Sequence, residues 1–333
     1  TIEAVAGGQI DLGRVRQIAD ARSGELRYGR MSVTADGADS VVDLSALITF
    51  QDFDTSERSR LVASGGGTVL AGSLVDVRGV ELVLDGTGTL PLAQLSSLTD
   101  GAATLSGQDY AFPGLENASG TTFTINGVHA DLGAVTNLTR GALTLSSGGT
   151  ANLSSARTID GASFWVNDGV TLALPAARSY THATTANDQT RVLRAAGAGS
   201  VLDLSQVAHI TGGRNWNSDL VIEALAGGHV DLRAVADILE PIEGETRYGH
   251  VSVLADGAAS TVYLNGLTNF YDRSGDEVST LVASSGGTIV LASGPVNLVG
   301  VNVTGDVGPA APTTDQTVAA EIDSLRKELA PLR

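Results

Sequence analysis

"SVLDLSQVAHITGG", residues 200–213, carries the spacing that decides the fold. Its apolar side chains stand at Leu202, Leu204, Val207 and Ile210, one step of two followed by two steps of three. Side chains alternate faces along a strand, so a flat strand would keep stepping by two, and the change of parity demands a corner or a bulge. The stretch therefore reads as a short strand, a bend and a second short strand. Leu202 and Leu204 point inward from the first strand.

The pattern apolar-x-Leu-x-x-apolar-x-x-apolar returns along the whole chain. Copies include "IDLGRVRQI" (10–18), "VDLSALITF" (42–50), "LPLAQLSSL" (90–98), "ADLGAVTNL" (130–138), "ANLSSARTI" (151–159), "LALPAARSY" (172–180), "VDLRAVADI" (230–238) and "VYLNGLTNF" (262–270). Weaker copies centre on Leu70, Phe112 and Leu291. In the middle of the chain the central positions step by 20 or 21 residues, and toward both ends the steps lengthen to as many as 32. A longer duplication overlies this period: residues 2–70 align without gaps to 222–290, with 36 of 69 positions identical. A period of this length repeated about twelve times means a solenoid.

Between copies lie short runs such as "ALTLSSGG", "SFWVNDG" and "SVLADGA", too short and too rich in β-branched residues and glycine for helices. Each 20-residue coil has room for three short strands and three turns. A leucine-rich repeat is the nearest rival, but it wants Asn or Cys three residues after the second Leu, where Val207 and its counterparts stand, and it needs a helical half. The expected fold is all-β: a parallel β-helix over 1–305 with about 12 coils of 20–32 residues. Its hand is expected to be right-handed, because the hexapeptide rhythm of left-handed helices is missing. Twelve coils at the strand spacing make a rod roughly 55–60 Å long.

The 41 glycines and 4% aromatics suit tight turns better than one large globular core. With no cysteine, disulfides and thiol chemistry are excluded. The formal charge is −17, which argues against nucleic acid as a partner, since phosphate affinity rests on neutralising cations. No apolar run reaches the 18 residues of a membrane span. The opening "TIEAVAGGQIDLG" enters in mid-pattern, so the chain reads as a fragment of a longer one.

On its "VDLSAL" and "SSGGT" coils, the chain resembles the β-helical repeat regions of large bacterial surface proteins and adhesins of the filamentous-haemagglutinin type. The likeness covers about 1–305 and is one of architecture and composition. It implies secretion to an extracellular or cell-surface location and a rod or stalk role, with adhesion to a surface glycan or protein.

Three sets of residues are candidates for chemistry. Asp11, Asp43, Asp131, Asp203 and Asp231 precede the motif Leu and form an outward carboxylate row, with Asp11 and Asp43, and Asp203 and Asp231, on neighbouring coils. Stacked like charges repel, so such a row recruits Ca2+, pairs with Arg, shares a proton, or serves as a solvated face against sheet aggregation. The second set lies in loops that all follow the last motif position, such as "QDFDTSERS" and "SYTHATTANDQT", and should line one side of the rod. Their Tyr28, Phe53, Tyr180, His182, Trp216, Tyr248 and Tyr271 would either form a sugar-binding ridge or fold back as loop caps. The other four histidines fall at repeat positions held by different residues elsewhere and offer no metal pair.

The third set is the tail. Residues 306–316 read as a Pro/Thr-rich linker and 317–333 as an amphipathic helix whose seam is Val318, Ile322, Leu325, Leu329 and Leu332. A helix this short needs a partner. It would cap the open end of the last coil near Val301–Val303 or self-associate as a coiled coil; an added tail is the remaining reading. Taken together, the residues point to a non-catalytic structural or adhesive rod without a cofactor. A glycan-binding module and a carbohydrate-active β-helix enzyme are the alternatives.

Overall fold

A computed structural model describes residues 1–20, 29–54, 57–183, 185–241, 248–274 and 277–309. Within them the chain is all-β, without a helix, and every strand pairing is parallel, each strand lying against its counterpart in the next coil. One face is a 13-stranded sheet running from Ile2–Val5 through Thr122–Asn126 and Gln189–Ala196 to Val301–Thr304. A second face holds strands such as Gln9–Asp11 and Val201–Asp203, and a third holds strands such as Gln17–Ala19 and His209–Thr211. This is the arrangement of a β-solenoid. The seam helix and most of the linker lie outside the described residues. A short strand at Val307–Pro309 pairs with Ile289–Leu291, so the solenoid runs into the stretch read as linker.

The parity change in 200–213 is a corner, as its spacing requires. Val201–Asp203 ends one strand, the Val207 N–H closes a turn onto the Leu204 carbonyl at 2.9 Å, and His209–Thr211 begins the next face. Leu202, Leu204, Val207 and Ile210 are all buried. Each motif position stacks into a column along the axis. The last, for example, passes through Phe50, Val77, Leu98, Ala118, Leu138, Ile159, Tyr180, Ile210, Ile238 and Phe270. Burial in these columns stabilises the stack by roughly 25 cal/mol per Å² of apolar surface. One weak motif copy was centred wrongly: Leu70 is 42% exposed, while Val69, Ala71, Leu74 and Val77 face the core. A one-residue slip in register turns every side chain of a strand to the other face.

The duplication of 2–70 in 222–290 extends to hydrogen bonds. The Gly7 N–H donates to Ser40 Oγ (3.0 Å) and the Ser40 hydroxyl to the Asp36 carbonyl; Gly227, Ser260 and Asp256 repeat the arrangement. The Ser59 N–H donates to Asp52 Oδ2 (2.8 Å), as the Ser279 N–H does to Asp272 Oδ2 (2.7 Å). Buried serines here connect one coil to the next, where an unpaired hydroxyl would be costly.

Candidate functional site

The carboxylate row has a local structural use. Asp11, Asp43, Asp131, Asp203 and Asp231 each accept, on Oδ1, the backbone N–H two residues on, at 2.8 to 3.1 Å. This is the Asx turn, in which a short side chain satisfies a backbone donor exposed by a bend. It explains why the residue before the motif Leu is so often Asp, and why Asn152 can replace it, accepting from the Ser154 N–H at 3.1 Å. Those bonds hold the Asp43 carboxyl below its ordinary range. The expected stacking is present, with Asp11 beside Asp43 and Asp203 beside Asp231. Of the responses open to stacked charges, pairing with Arg is seen once: Arg233 grips both Asp231 oxygens through Nε at 2.9 Å, with Nη2 in further contact. Among the described residues, no group of three or more His, Asp or Glu is arranged to hold a metal ion. Replacing Asp203 by Ala should lose about 1 kcal/mol through the unsatisfied turn amide, while Asn should retain most of the stability. Urea denaturation of both variants checks this.

The loop aromatics lie on one side of the solenoid, but they do not form one ridge. Trp216 and Tyr248, on loops of neighbouring coils, pack edge to face with centroids 5.8 Å apart. Tyr271 is tied by hydroxyl bonds to Asn269 and Asn297 and lies under the Arg273 guanidinium. Phe53 is half-buried beneath Arg78, 5.2 Å from the ring centre. Tyr28 lies outside the described residues. Two members belong to the interior. Tyr180 is fully buried in the last core column, donates its hydroxyl to the Ala162 carbonyl at 2.9 Å, and has its proton affinity raised by burial. Its motif position, shared with Ile210 and Phe50, was the signal that it belongs to the core.

His182 is also fully buried rather than set in a surface loop. Its Nε2 lies 3.0 Å from the Gln189 carbonyl and 3.1 Å from the Asp219 carbonyl. Both neighbours are acceptors, so Nε2 carries a proton. Burial, then the Arg191 charge, brings its pKa down to about 4, which keeps the ring neutral at pH 7.

The feature missed in the sequence is the corner between the third face and the long face. One residue per coil, usually eight positions after the motif Leu, hydrogen-bonds through its backbone to the next coil. The ladder runs Asp20, Asp52, Gly79, Asp100, Gly120, Arg140, Gly161, His182, Gly212, Glu240, Asp272. Charged or polar residues alternate with glycine through most of it, and the glycines make room for their neighbours. A Cβ on Gly212 would overlap Glu240 Oε2, and one on Gly120 would overlap Asp100 Oδ1.

Two functional environments grow from this ladder. In the first, Glu240 is fully buried with neither carboxyl oxygen hydrogen-bonded. Burial, reinforced by the charges of Asp272 and Asp219, raises its pKa to about 9, so it is protonated at neutral pH. Beside it, His250 Nδ1 lies 3.1 Å from both Asp219 Oδ1 and Glu277 Oε2. Those carboxylates hold its pKa above the ordinary value, although neither contact has the alignment of a hydrogen bond. His250 and Glu277 are the duplicate of Arg30 and Glu57, which pair at 3.0 Å.

The second environment is a groove of about 940 Å³ whose floor is the ladder from Asp52 to Arg140. Arg30, Arg58, Arg60, Arg78, Arg140 and Arg191 line it, six of the 20 basic residues in a chain of net charge −17. Three are paired at the surface: Arg30 with Glu57, Arg60 with Glu81, and Arg78 with Asp100. Arg58, Arg140 and Arg191 face no carboxylate within ion-pair distance among the described residues. Arg191 Nε is buried without a hydrogen-bond partner, and burial together with Arg140 lowers its proton affinity. The groove follows from unequal coil length: Asp52, Phe53, Asp54, Glu57 and Arg58 line one end and Thr185 and Arg191 the other, and the coils of 20 or 21 residues between them carry no insertion. In comparisons with protein-family models, curated proteins and solved structures, nothing matches the chain.

Proposed function

We propose that the chain is a non-catalytic rod: a right-handed parallel β-helix of about twelve coils that serves as a stalk or spacer in a large extracellular protein of a bacterial surface. The observation that carries this reading is the use of the repeated acids. Each carboxylate of the row closes its own turn, so the residue type that enzymes of this shape would need for catalysis is spent on corners here. Glu240, the acid with the most raised proton affinity, is enclosed and out of a substrate's reach. The hand follows the strong preference of parallel strand–crossover–strand connections for right-handed turns. The 12 strand-to-strand steps of the long face give a length of about 58 Å.

Small-angle X-ray scattering of the monomer should give an elongated profile of that length with a constant cross-section. Incubation with neutral and acidic polysaccharides should release no reducing or unsaturated ends. Turnover abolished by one Asp→Asn change would overturn the reading, as would a compact scattering profile.

A further inference from the structure

We propose that the arginine groove is a binding site for a linear acidic polysaccharide, whose carboxylate or sulfate groups engage Arg58, Arg140 and Arg191. This goes beyond the rod reading, since a rod without a ligand in this groove is still a rod. Three observations combine. The first is concentration of charge: nearly a third of the basic residues line one groove of a strongly acidic chain. The second is that the arginines without acidic partners are spread along it, Arg58 at the near end, Arg140 on the floor and Arg191 at the far wall. Arg140 extends from a ladder position with φ of 57°, a backbone conformation in which its neighbours Gly120 and Gly161 are glycines. A non-glycine residue at positive φ is uncommon and carries a conformational cost. Here that cost places a guanidinium in the groove with no protein carboxylate to neutralise it. The third is Arg191, which is half-buried, has Nη2 held by Gln189 Oε1 at 3.2 Å and is electrostatically opposed by Arg140, so an anion bound between the two guanidinium groups would offset their repulsion.

Shape and chemistry select the class of anion. From the strand of Arg60 to that of Arg191 the long face counts six steps, about 29 Å, which suits an extended chain better than a compact anion. Asp52, Asp54, Glu57, Glu81 and Asp100 are interspersed with the arginines. Carboxylates accept hydrogen bonds from hydroxyls and repel anions, so the lining fits a polymer whose charges are spaced by hydroxyl-bearing rings. A single strand of nucleic acid would bring denser phosphate charge and need a row of stacking aromatics, and Phe53 is the one aromatic among the described lining residues. A peptide adding as a strand would need free backbone groups, which the ladder already uses between coils.

Affinity electrophoresis and calorimetry of the full chain at low salt test the proposal, with polygalacturonate and heparin as carboxylate and sulfate probes and dextran as the neutral control. One or both acidic probes should bind, dextran should not, and binding should weaken steeply with salt. The double variant Arg140→Ala/Arg191→Ala should weaken binding at least tenfold with the thermal transition retained. Arg58→Ala/Arg140→Ala, both at more accessible positions, serves if loss of Arg191 impairs folding. The proposal is overturned if neither acidic probe binds, if folded variants bind as tightly as the parent, or if single-stranded DNA binds more tightly than both polysaccharides. Sulfate-only or carboxylate-only binding would support it and identify the anion. The scattering profile is independent of all these outcomes, so a failed groove and a failed rod are distinguishable.

Discussion

Glu240→Gln is expected to stabilise the protein at pH 7 by about 3 kcal/mol, an increment set by 1.36 kcal/mol per pH unit over the interval from an ordinary glutamate pKa near 4.5. The sign follows from linkage. The folded chain keeps the Glu240 proton up to a pKa of about 9, whereas the unfolded chain releases it above about 4.5. Stability attributable to this residue is therefore full below pH 4.5, declines as pH rises, and levels off above about pH 9. Glutamine imitates the protonated acid in shape and removes the slope. Urea unfolding of both proteins at pH 4.5, 7 and 8.5 should show equal stability at the first value and a widening gap at the others. His250, raised by Asp219 and Glu277, adds a slope of the same sign above its unfolded pKa, but in both proteins alike. A variant that is less stable than the parent at pH 7, or that keeps the parent's pH slope, would contradict this account of the corner.

Phe123→Ala should cost about 3–5 kcal/mol, the range for an aromatic ring removed from a closed core. Phe123 is fully buried in the sixth strand of the long face, between Ala103 and Leu143 of adjacent coils, and meets the edge of Phe112 with ring centres 6.4 Å apart. Neighbours of one coil are the coils above and below, so a solenoid's stability is close to a sum of coil and interface terms. A cavity at mid-stack weakens two interfaces and should uncouple the halves, turning a single thermal transition into a broader or biphasic one. Leu70→Ala is the control. Leu70 is a leucine in a motif-like run that faces solvent, and its loss should stay within about 0.5 kcal/mol. Calorimetry on the two variants compares them directly. Equal losses would mean that the assignment of inward and outward faces in this coil is wrong.

Much of the fold follows from local rules that operate within one coil. Parity in "SVLDLSQVAHITGG" places the corner, because side chains must alternate on a strand and the core lies on one side. The return of that spacing at similar intervals makes the corners stack, and loops inserted at one motif position must then emerge on one side. Asp before the motif Leu is in the same class, since its bond to the amide two residues on is wholly local.

Other properties belong to the stacking. Leu70 sits in a motif-like run whose spacing points it inward, yet the hydrogen bonds of the adjoining coils fix its register and turn it outward. Tyr180 and His182 follow one another closely in a loop-like run, but the column above and below encloses them both. Glu240 is an ordinary glutamate in the chain. Its raised pKa arises from burial, in the space that Gly212, one coil and 28 residues earlier, leaves for the carboxyl, and from the charges of Asp272, 32 residues later, and Asp219. The groove likewise gathers Arg30 and Arg191 across coils of unequal length. Periodicity within a coil settles which way a side chain points. Its environment is set by residues 20–32 positions away, and their juxtaposition exists only after the coils have stacked.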